Sequence, residues 1–250
     1  MGQLDGKVAV VVGASGKKNF GASIARRLAA AGAKVVVSAR RAEPLQALAD
    51  EIGGLAAACD VTDESQIENL FDTAKSECGR VDIAVNSSGG LGGGPISMVT
   101  AEDMRPTLEV SFIGAILLFK HAARVMDEGG SIITISSLTA RLPGPGLGIY
   151  AGARAGIDYA IKVAAIEYAE QKIRFNSIAA GLIETDMTAD LFATPGVVEM
   201  YTAAVPVGRM GTVDDVAEAA LWLADDKASG FVNGQLIDLA GGQQMGKLPG

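Results

Sequence analysis

The sequence has few of the residues that build disulfide frameworks or metal centres: its 250 residues include two cysteines, Cys59 and Cys78, and one histidine. Two cysteines are too few to staple a small secreted fold, and no histidines accompany them at zinc-ligand spacing. Chains that are poor in disulfides are typical of reducing compartments. We therefore expect a cytoplasmic protein with neither a structural disulfide nor a metal site.

Long hydrophobic runs and excess positive charge are also missing. The N-terminal stretch MGQLDGKVAVVVG carries an apolar run that is too short for a signal peptide or a membrane-spanning helix. Lysines and arginines number 21 against 29 aspartates and glutamates, for a net charge of -8. Nucleic-acid binding needs clustered basic residues. We expect no membrane and no nucleic-acid partner, which leaves a small molecule as the substrate.

What the sequence does contain is a regular alternation of short Val- and Ile-rich runs with longer amphipathic runs. This alternation predicts repeated βαβ units, and therefore an α/β fold with a parallel sheet covered by helices on both faces. The predicted strands are 7–12, 34–39, 55–60, 82–86, 131–136, 174–179 and 235–240. The predicted helices are 21–33, 43–52, 64–78, about 101–126, a helix carrying Tyr150, and one near 213–224. In such a sheet, ligands bind at the carboxyl ends of the strands.

A glycine-rich turn, GASGKKNFGASIA, follows the first predicted strand and opens the first predicted helix. Gly13 allows a tight turn and Gly21 allows close approach at the helix start, so free N–H groups and the helix dipole face a pyrophosphate. We count Ser15, Lys17 and Phe20 of this segment among the cofactor-binding residues. The alternative is that the segment is only a turn.

The end of the second strand, SARR, favours NADP(H) over NAD(H) as the cofactor. An acidic residue at this point would accept a hydrogen bond from the ribose 2′-hydroxyl, whereas Arg40 and Arg41 suit a 2′-phosphate. Lys17 or Lys18 from the glycine loop would add positive charge. The alternative is that the two arginines form only a solvated approach to the next helix.

Two further strand ends carry candidate adenosine contacts. Asp60 is placed to accept a hydrogen bond from the adenine amino group, and Val61 follows it in the segment CDV. The segment NSSG, from Asn86 to Gly89, brings backbone close to the adenosine. Each of these features alone is also compatible with ordinary loop structure.

Taken together, these motifs resemble those of the short-chain dehydrogenase/reductase family over essentially the whole chain. The matching segments are the glycine turn 13–21, CDV at 59–61, NSSG at 86–89, ISS with the following tyrosine at 135–150, IRFNSIAAGLIETDM at 173–187 and FVNGQLIDLAGG at 231–242. The resemblance implies a single Rossmann-type, doubly wound domain over residues 1–250. It also implies a nicotinamide cofactor and a homo-oligomer, either a tetramer or a dimer.

The resemblance also implies the roles of the catalytic residues. The family's spacing between its serine and its tyrosine selects Ser137 rather than Ser136. Ser137 would polarise a carbonyl or hydroxyl while Tyr150 exchanges a proton with it during hydride transfer. Arg154 stands where the family has a lysine that binds the nicotinamide ribose and places positive charge beside the phenol.

The loop after the sixth strand matches the family segment that faces the nicotinamide and the substrate. Ile183 and Thr185 would line the nicotinamide, and the segment at about 184–210 would cover the substrate. The apolar residues of this segment favour a lipophilic or alicyclic ketone or alcohol.

Four features depart from the family pattern, the smallest being Ala180 in place of the proline that usually precedes Gly181. Arg154 keeps a positive charge but cannot give up a proton. Ser111, which we count as catalytic, stands where the family has an asparagine that positions water next to the lysine. Two members of one relay are therefore changed together, which puts the route of the proton from Tyr150 to solvent in doubt. The glycine loop is also longer than usual, with Asn19 where the middle glycine would fall.

The sequence leaves three functions open. An NADP(H)-preferring oxidoreductase is favoured because the chain keeps SARR, CDV, NSSG and GLIETDM. The set Ser137, Tyr150 and Arg154 is also the pattern of halohydrin dehalogenases, which form epoxides and release halide without a nicotinamide, and Phe20 resembles the aromatic residue near their halide. The third possibility is a nucleotide-binding family member with little or no turnover.

Overall fold

The computed structural model describes residues 2–90 and 92–245, and its centre is a seven-stranded parallel sheet. The strand order is β3-β2-β1-β4-β5-β6-β7, so the direction in which strands are added reverses between β1 and β4. The strands are β1 (Val8–Val12), β2 (Lys34–Ala39), β3 (Leu55–Ala58), β4 (Ile83–Asn86), β5 (Gly130–Ser137), β6 (Ile173–Ala180) and β7 (Leu236–Leu239). Each predicted strand is present, which confirms the α/β, Rossmann-type fold. Residues 1, 91 and 246–250 of the predicted domain lie outside the described residues.

Helices connect successive strands and cover both faces of the sheet. They are α1 (Phe20–Ala30), α2 (Ala42–Ile52), α3 (Glu64–Cys78), α4 (Ala101–Leu108), α5 (Gly114–Val125), α6 (Gly148–Glu167), α7 (Ala189–Phe192), α8 (Val197–Ala203), α9 (Val213–Ala224) and α10 (Asp226–Ser229). Among the residues that the structure describes, no helix combines the length and the hydropathy of a membrane span.

The helix predicted at about 101–126 is confirmed in extent but not in regularity. Between α4 and α5 the chain makes a wide π turn over Glu109–Ile113. A Cβ on Gly114 would lie 2.4 Å from the carbonyl oxygen of Val61, so only glycine lets this turn approach the loop after β3 so closely. Such π turns are frequent at functional sites, and this one carries Ser111.

The core consists of two apolar layers, one on each face of the sheet. On one face Ala9 and Val11 of β1 pack with residues of α1, α2 and α9. On the other face Val10 and Val12 pack with residues of α3, α5 and α6. Because both faces of β1 are covered, its sequence VAVVV is continuously apolar instead of alternating. Each fully buried valine stabilises the fold by about 1.5–3 kcal/mol relative to an exposed one.

This arrangement places the loops after the strands at a single edge of the sheet, because all seven strands run in the same direction. The loops after β1 and β4 meet where the strand order reverses, which is where doubly wound sheets form a ligand-binding crevice. The glycine-rich turn 13–19 and the segment 87–90 therefore become neighbours, although the chain separates them widely.

Candidate active site

A cleft of about 570 Å³ lies at the carboxyl edge of the sheet and is lined by the loops after β1 to β6. Most of the predicted site residues form its wall: Gly13, Ser15, Phe20, Arg40, Arg41, Asp60, Val61, Gly89, Tyr150, Arg154 and Thr185. The others lie outside that wall: Lys17, Gly21, Asn86, Ser111, Ser137 and Ile183. The cleft thus joins the predicted adenosine end to the predicted catalytic end.

The glycine turn after β1 requires glycine at two positions. Gly13 has a φ of 89°, and a Cβ there would lie 2.7 Å from the carbonyl of Ser87. A Cβ on Gly21 would lie 2.6 Å from the carbonyl oxygen of Gly13. Gly21 therefore lets α1 pack beneath the turn, whereas Gly13 forms part of the cleft wall itself.

Asn19 accounts for the unusual length of this loop. Its side-chain oxygen accepts a hydrogen bond from the backbone N–H of Ala22 at 2.7 Å, which caps the start of α1. Its amide nitrogen donates to the carbonyl oxygen of Gly13 at 3.2 Å. Asn19 therefore ties the two ends of the loop together. The signal in the sequence was an N-cap residue type directly before a helix.

The loop is also joined to the segment after β6. The N–H of Lys18 donates to the carboxylate of Asp186 with both distances at 3.2 Å, and the N–H of Asp186 donates to the carbonyl of Lys18 at 2.8 Å. The ammonium of Lys18 pairs with Glu184. The charge of Lys18 is thus compensated within the protein. Both Lys17 and Lys18 are exposed to solvent.

Two guanidinium groups stand at the adenosine end of the cleft. Arg40 and Arg41 are both exposed, and within residues 2–90 and 92–245 neither forms an ion pair. Arg41 donates from Nη2 to the carbonyl oxygen of Ser15 at 2.8 Å, which fixes it against the glycine loop. Its positive charge stays uncompensated, so this end of the cleft suits an anionic group.

The candidate adenosine contacts divide into one in the wall and one behind it. Asp60 lines the cleft and accepts hydrogen bonds from the N–H and hydroxyl of Thr62 at 3.0 and 2.9 Å. Asn86 is buried, and its side-chain oxygen accepts from the N–H and hydroxyl of Ser88 at 3.0 and 2.6 Å. Asn86 therefore shapes the loop after β4 from behind the cleft wall.

Cys59 lines the cleft between these contacts. Burial, together with the nearby carboxylates of Asp60 and Asp63, raises the pKa of its thiol to about 11. The thiol is therefore protonated at neutral pH, and it is unsuited to act as a nucleophile.

Tyr150 and Arg154 lie one turn apart on α6, as their spacing predicts. The guanidinium carbon of Arg154 lies 5.3 Å from the centroid of the Tyr150 ring, within cation–π distance. Arg154 is only 6% exposed. Its fixed positive charge therefore lies against the tyrosine ring in a poorly solvated position.

The guanidinium of Arg154 is held by backbone carbonyls. Nη1 donates to the carbonyl oxygen of Ile135 at 2.9 Å, and Nη2 donates to that of Ser88 at 3.4 Å. A Cβ on Gly89 would lie 1.9 Å from Nη2, so the glycine makes room for this large side chain. Gly89, the last residue of NSSG, thus also accommodates the arginine that stands where the family has a lysine.

The two candidate serines after β5 face different partners. The half-buried Ser137 accepts hydrogen bonds at Oγ from the N–H and hydroxyl of Thr139 at 3.2 and 2.9 Å. Ser136 is in the cleft wall and donates to the carboxylate of Asp158 at 2.9 Å. Ser137 was chosen over Ser136 from the sequence, and Asp158 was not identified. Tyr150, Arg154 and Asp158 follow one another at four-residue intervals, which places them on one face of α6.

Ser111 lies behind the cleft wall and is 1% exposed. Its hydroxyl accepts a hydrogen bond from the N–H of Gly90 at 3.2 Å. The side chain therefore fixes the loop after β4 from the π turn. Its predicted catalytic role stays a prediction.

The segment after β6 begins buried and becomes exposed. Ile183 is buried and pairs with Gly211 through a short β-bridge. Thr185 lines the cleft wall, and its backbone N–H donates to Oγ1 of Thr188 at 2.9 Å. The large apolar side chains Met187, Met200 and Val207 are exposed beyond it. Of these three, Met187 lines the cleft itself.

Comparison with known proteins gives consistent matches along nearly the whole chain. A family model described as Enoyl-(Acyl carrier protein) reductase matches residues 13–244. The chain is 36% identical to 3beta-hydroxysteroid dehydrogenase 1 of Eggerthella lenta, covering 97% of this chain and 95% of that protein. It is 37% identical to 7alpha-hydroxysteroid dehydrogenase of Escherichia coli K12, covering 96% and 95%. The solved structure of a short-chain type dehydrogenase/reductase from Mycobacterium ulcerans superposes with a TM-score of 0.92 at 32% identity, covering 99% and 93%.

Proposed function

The chain belongs to the short-chain dehydrogenase/reductase family, whose members are oxidoreductases that use nicotinamide cofactors, and from this we propose that it is an NADP(H)-preferring enzyme. It interconverts a carbonyl and a secondary alcohol by hydride transfer. The observation that carries the proposal is one continuous cleft with two uncompensated guanidiniums at one end and the Tyr150–Arg154 pair at the other.

The residues of the cleft fit a nicotinamide dinucleotide. The turn at Gly13 has no room for a Cβ, and it is followed by the N-terminus of α1, where a pyrophosphate is favoured by free N–H groups and the helix dipole. Asp60 and Val61 would hold the adenine, and Gly89 the adenosine ribose. Thr185 and the backbone near Ile183 would hold the nicotinamide end.

The preference for NADP(H) rests on the end of β2. Arg40 and Arg41 would bind the 2′-phosphate through charge-assisted hydrogen bonds, with Lys17 adding positive charge. Strand β2 ends at Ala39, and the next two residues are Arg40 and Arg41. The position therefore lacks an acidic side chain that would accept a hydrogen bond from an unphosphorylated ribose. NAD(H) would lose these contacts without gaining others.

When bound in the cleft, a nicotinamide would supply the hydride for reduction of the carbonyl carbon. Tyr150 gives its phenolic proton to the substrate oxygen, and Arg154 stabilises the phenolate that remains. Ser137 adjoins Ser136 of the cleft wall and accepts two hydrogen bonds from Thr139. Its own O–H has no acceptor among the described residues, and it would donate to the substrate oxygen. Ser111 supports this geometry by holding the loop that contains Gly90.

A lipophilic, rigid alicyclic ketone or alcohol is the proposed substrate class. The segment 184–210 exposes Met187, Met200 and Val207, and Met187 lines the cleft. The two hydroxysteroid dehydrogenases that this chain resembles act, by their names, on alcohols of this kind. An apolar covering segment would exclude water from the hydride-transfer site once it closes over such a substrate.

We also propose that the protein is a homo-oligomer, a tetramer or a dimer. Helix α6 exposes Val163 and Ile166, and Trp222 of α9 and Phe231 are exposed at another place. Apolar surface in contiguous stripes is typical of subunit interfaces. Light scattering after size-exclusion chromatography measures the mass, and a monomer at micromolar concentration would contradict the proposal.

A halohydrin dehalogenase is the second candidate, because Ser137, Tyr150 and Arg154 match its pattern and Phe20 lines the cleft. The size and charge of the cleft argue against a dehalogenase. A halide would fill only a small fraction of the 570 Å³, and it would not contact Arg40 or Arg41 at the far end. A nucleotide-binding protein with little turnover is the third candidate.

Thermal denaturation with NADPH, NADH and bromide in separate titrations distinguishes the three candidates. We expect NADPH to raise the melting temperature at lower concentration than NADH, with no response to bromide beyond that of a matched sulfate control. Stabilisation by bromide alone would support the dehalogenase. Stabilisation by NADPH with no turnover of any ketone in an alicyclic panel would support the nucleotide-binding protein.

A further inference from the structure

A tyrosine that gives its proton to a substrate must regain one before the next turnover, and two nearby polar groups are unable to deliver it. Arg154 has both terminal nitrogens engaged with backbone carbonyls, and a guanidinium does not release a proton near neutral pH. Ser111 is turned to the N–H of Gly90 and lies outside the cleft wall. The phenolate needs another source.

One hydroxyl of the cleft wall is hydrogen-bonded to a buried carboxyl group. Ser136 lines the cleft and donates from Oγ to Oδ2 of Asp158 at 2.9 Å. Ser177 of β6 donates to the other oxygen, Oδ1, at 2.8 Å. Asp158 is 5% exposed, and it lies one turn beyond Arg154 on α6. A buried carboxyl thus stands directly behind the cleft.

Asp158 also reaches a second cavity on the side away from the cleft. This cavity has a volume of about 370 Å³, and Asp158 lines it together with Arg141, Tyr159, Lys162 and Gln235. Tyr159 and Lys162 are exposed, so the cavity opens to solvent. Asp158 is therefore in contact with the cleft through Ser136 and with solvent through the second cavity.

The groups around Asp158 set its proton affinity. Burial raises the pKa of its carboxyl above the ordinary value, although the hydroxyls of Ser177 and Ser136 and the charges of Arg141 and Arg154 oppose this. Arg141 is itself paired with Asp238 of β7, and Lys162 lies one turn further along α6. The carboxyl is therefore easier to protonate than an exposed aspartate, as a group that both accepts and releases protons must be.

We propose that Asp158 relays protons between solvent in the second cavity and the active-site cleft, with Ser136 as the connecting hydroxyl. The inference rests on the proposed function, since it supplies the proton that Tyr150 loses during carbonyl reduction. Neutral Asp158 passes its proton to Oγ of Ser136 while the Ser136 hydroxyl proton moves into the cleft and restores the phenol. The Asp158 carboxylate then takes a proton from solvent in the second cavity. In alcohol oxidation each transfer reverses.

Three variants separate a relay from a structural role. Asp158→Asn keeps the shape and can still accept from one serine and donate to the other, but it carries no transferable acid proton. Ser136→Ala cuts the link to the cleft. Ser177→Ala is the matched control, because it removes a hydroxyl that donates to the same carboxylate from outside both cavity walls.

The decisive measurement is pre-steady-state reduction of a decalone by NADPH in stopped flow, with ketone in excess. The first turnover uses the proton already on Tyr150, so Asp158→Asn and Ser136→Ala should show a burst at the wild-type rate. Their steady-state kcat should then fall about tenfold to a hundredfold, with KM for NADPH unchanged and with partial rescue by added imidazole buffer. Wild type and Ser177→Ala should show no burst.

A purely structural role for Asp158 predicts instead that the first and later turnovers slow equally and that buffer gives no rescue. That result, or a wild-type steady state in Asp158→Asn, would overturn the relay and leave the proposed function intact. No turnover in the wild type would overturn the proposed function and the relay with it.

A readout without turnover tests the same carboxyl. Carbon-13 NMR titration of the aspartate carboxyls, with Asp158 assigned by its loss in Asp158→Asn, should show that Asp158 titrates above the ordinary aspartate range. Titration at or below that range would overturn the relay whether or not the enzyme reduces a ketone.

Discussion

The two ends of the cleft both use arginine, but in opposite ways. At the adenosine end Arg40 and Arg41 are exposed and unpaired among the described residues, so their charges are available to a ligand. At the catalytic end Arg154 is buried, and two backbone carbonyls occupy both of its terminal nitrogens. The first pair can select a cofactor. The second arginine acts mainly through its charge, on the tyrosine that lies against it.

This contrast predicts that the two ends separate kinetically. Changes at the catalytic end should lower kcat and leave nucleotide binding nearly intact. Changes at the adenosine end should raise the KM for NADPH and leave kcat nearly intact.

The largest effect is expected for Tyr150→Phe, because it removes the acidic proton and keeps the ring against Arg154. We expect kcat to fall by about a thousandfold, with the Kd for NADPH changed by less than about twofold. Stopped-flow reduction and fluorescence titration measure the two quantities. Tyr168→Phe, at the C-terminal end of the same helix, where the ring packs on Phe175, is the matched control. Full activity in Tyr150→Phe would remove the tyrosine from the chemistry.

The next effect separates the charge of Arg154 from its hydrogen bonds. Arg154→Met removes the charge at similar length, and we expect kcat to fall by about a hundredfold. It also leaves the carbonyls of Ile135 and Ser88 without their donor, at a cost of roughly 1–3 kcal/mol in the free energy of unfolding. Arg154→Lys should keep or raise activity while losing part of that stability. An inactive lysine variant would point to an arginine-dependent reaction such as dehalogenation.

A smaller effect is expected at the adenosine end. Arg40→Ala and Arg41→Ala should each raise the KM for NADPH by about tenfold, since each removes a charge-assisted contact to the 2′-phosphate. The KM for NADH and the kcat with NADPH should stay unchanged. Arg26→Ala, which removes an exposed arginine paired with Glu51, is the control. Equal losses with NADPH and NADH would show that the arginines only support the loop.

The smallest effect concerns stability and pH. Burial raises the pKa of Asp158 in the folded protein, so its contribution to stability is greatest at acidic pH and is lost as pH rises through the folded-state pKa. Asp158→Asn avoids this loss. We expect its melting temperature relative to wild type to rise between acidic and alkaline pH, as measured by thermal denaturation at a series of pH values. A difference that is constant with pH would contradict a raised pKa.

The fold was predictable from the sequence because its signals are local. A strand covered on both faces is continuously apolar, and the run VAVVV therefore predicts a buried strand. Gly13 and Gly21 mark a turn that no other residue can form, and the four-residue spacing of Tyr150 and Arg154 fixes their common helix face. These features require no knowledge of distant contacts.

What was not predictable depends on residues far apart in the chain. The join between Lys18 and Asp186 links loops 168 positions apart. The room that Gly89 makes for Arg154 depends on how α6 packs beside the loop after β4. The π turn at Ser111 has no sequence signal that we recognise. The importance of Asp158 could have been predicted from the sequence. It lies at helical spacing from Tyr150 and Arg154 on a buried face, where a carboxylate requires a hydrogen-bond partner.

The most direct test of the account is isotope transfer from NADPH deuterated at its transferable position, incubated with the enzyme and an alicyclic ketone and followed by mass spectrometry. We predict that the alcohol product carries the deuterium at the former carbonyl carbon and that Tyr150→Phe forms it about a thousandfold more slowly. Deuterium that stays on the nucleotide, while a halohydrin offered in parallel is converted to its epoxide, would contradict hydride transfer at this site.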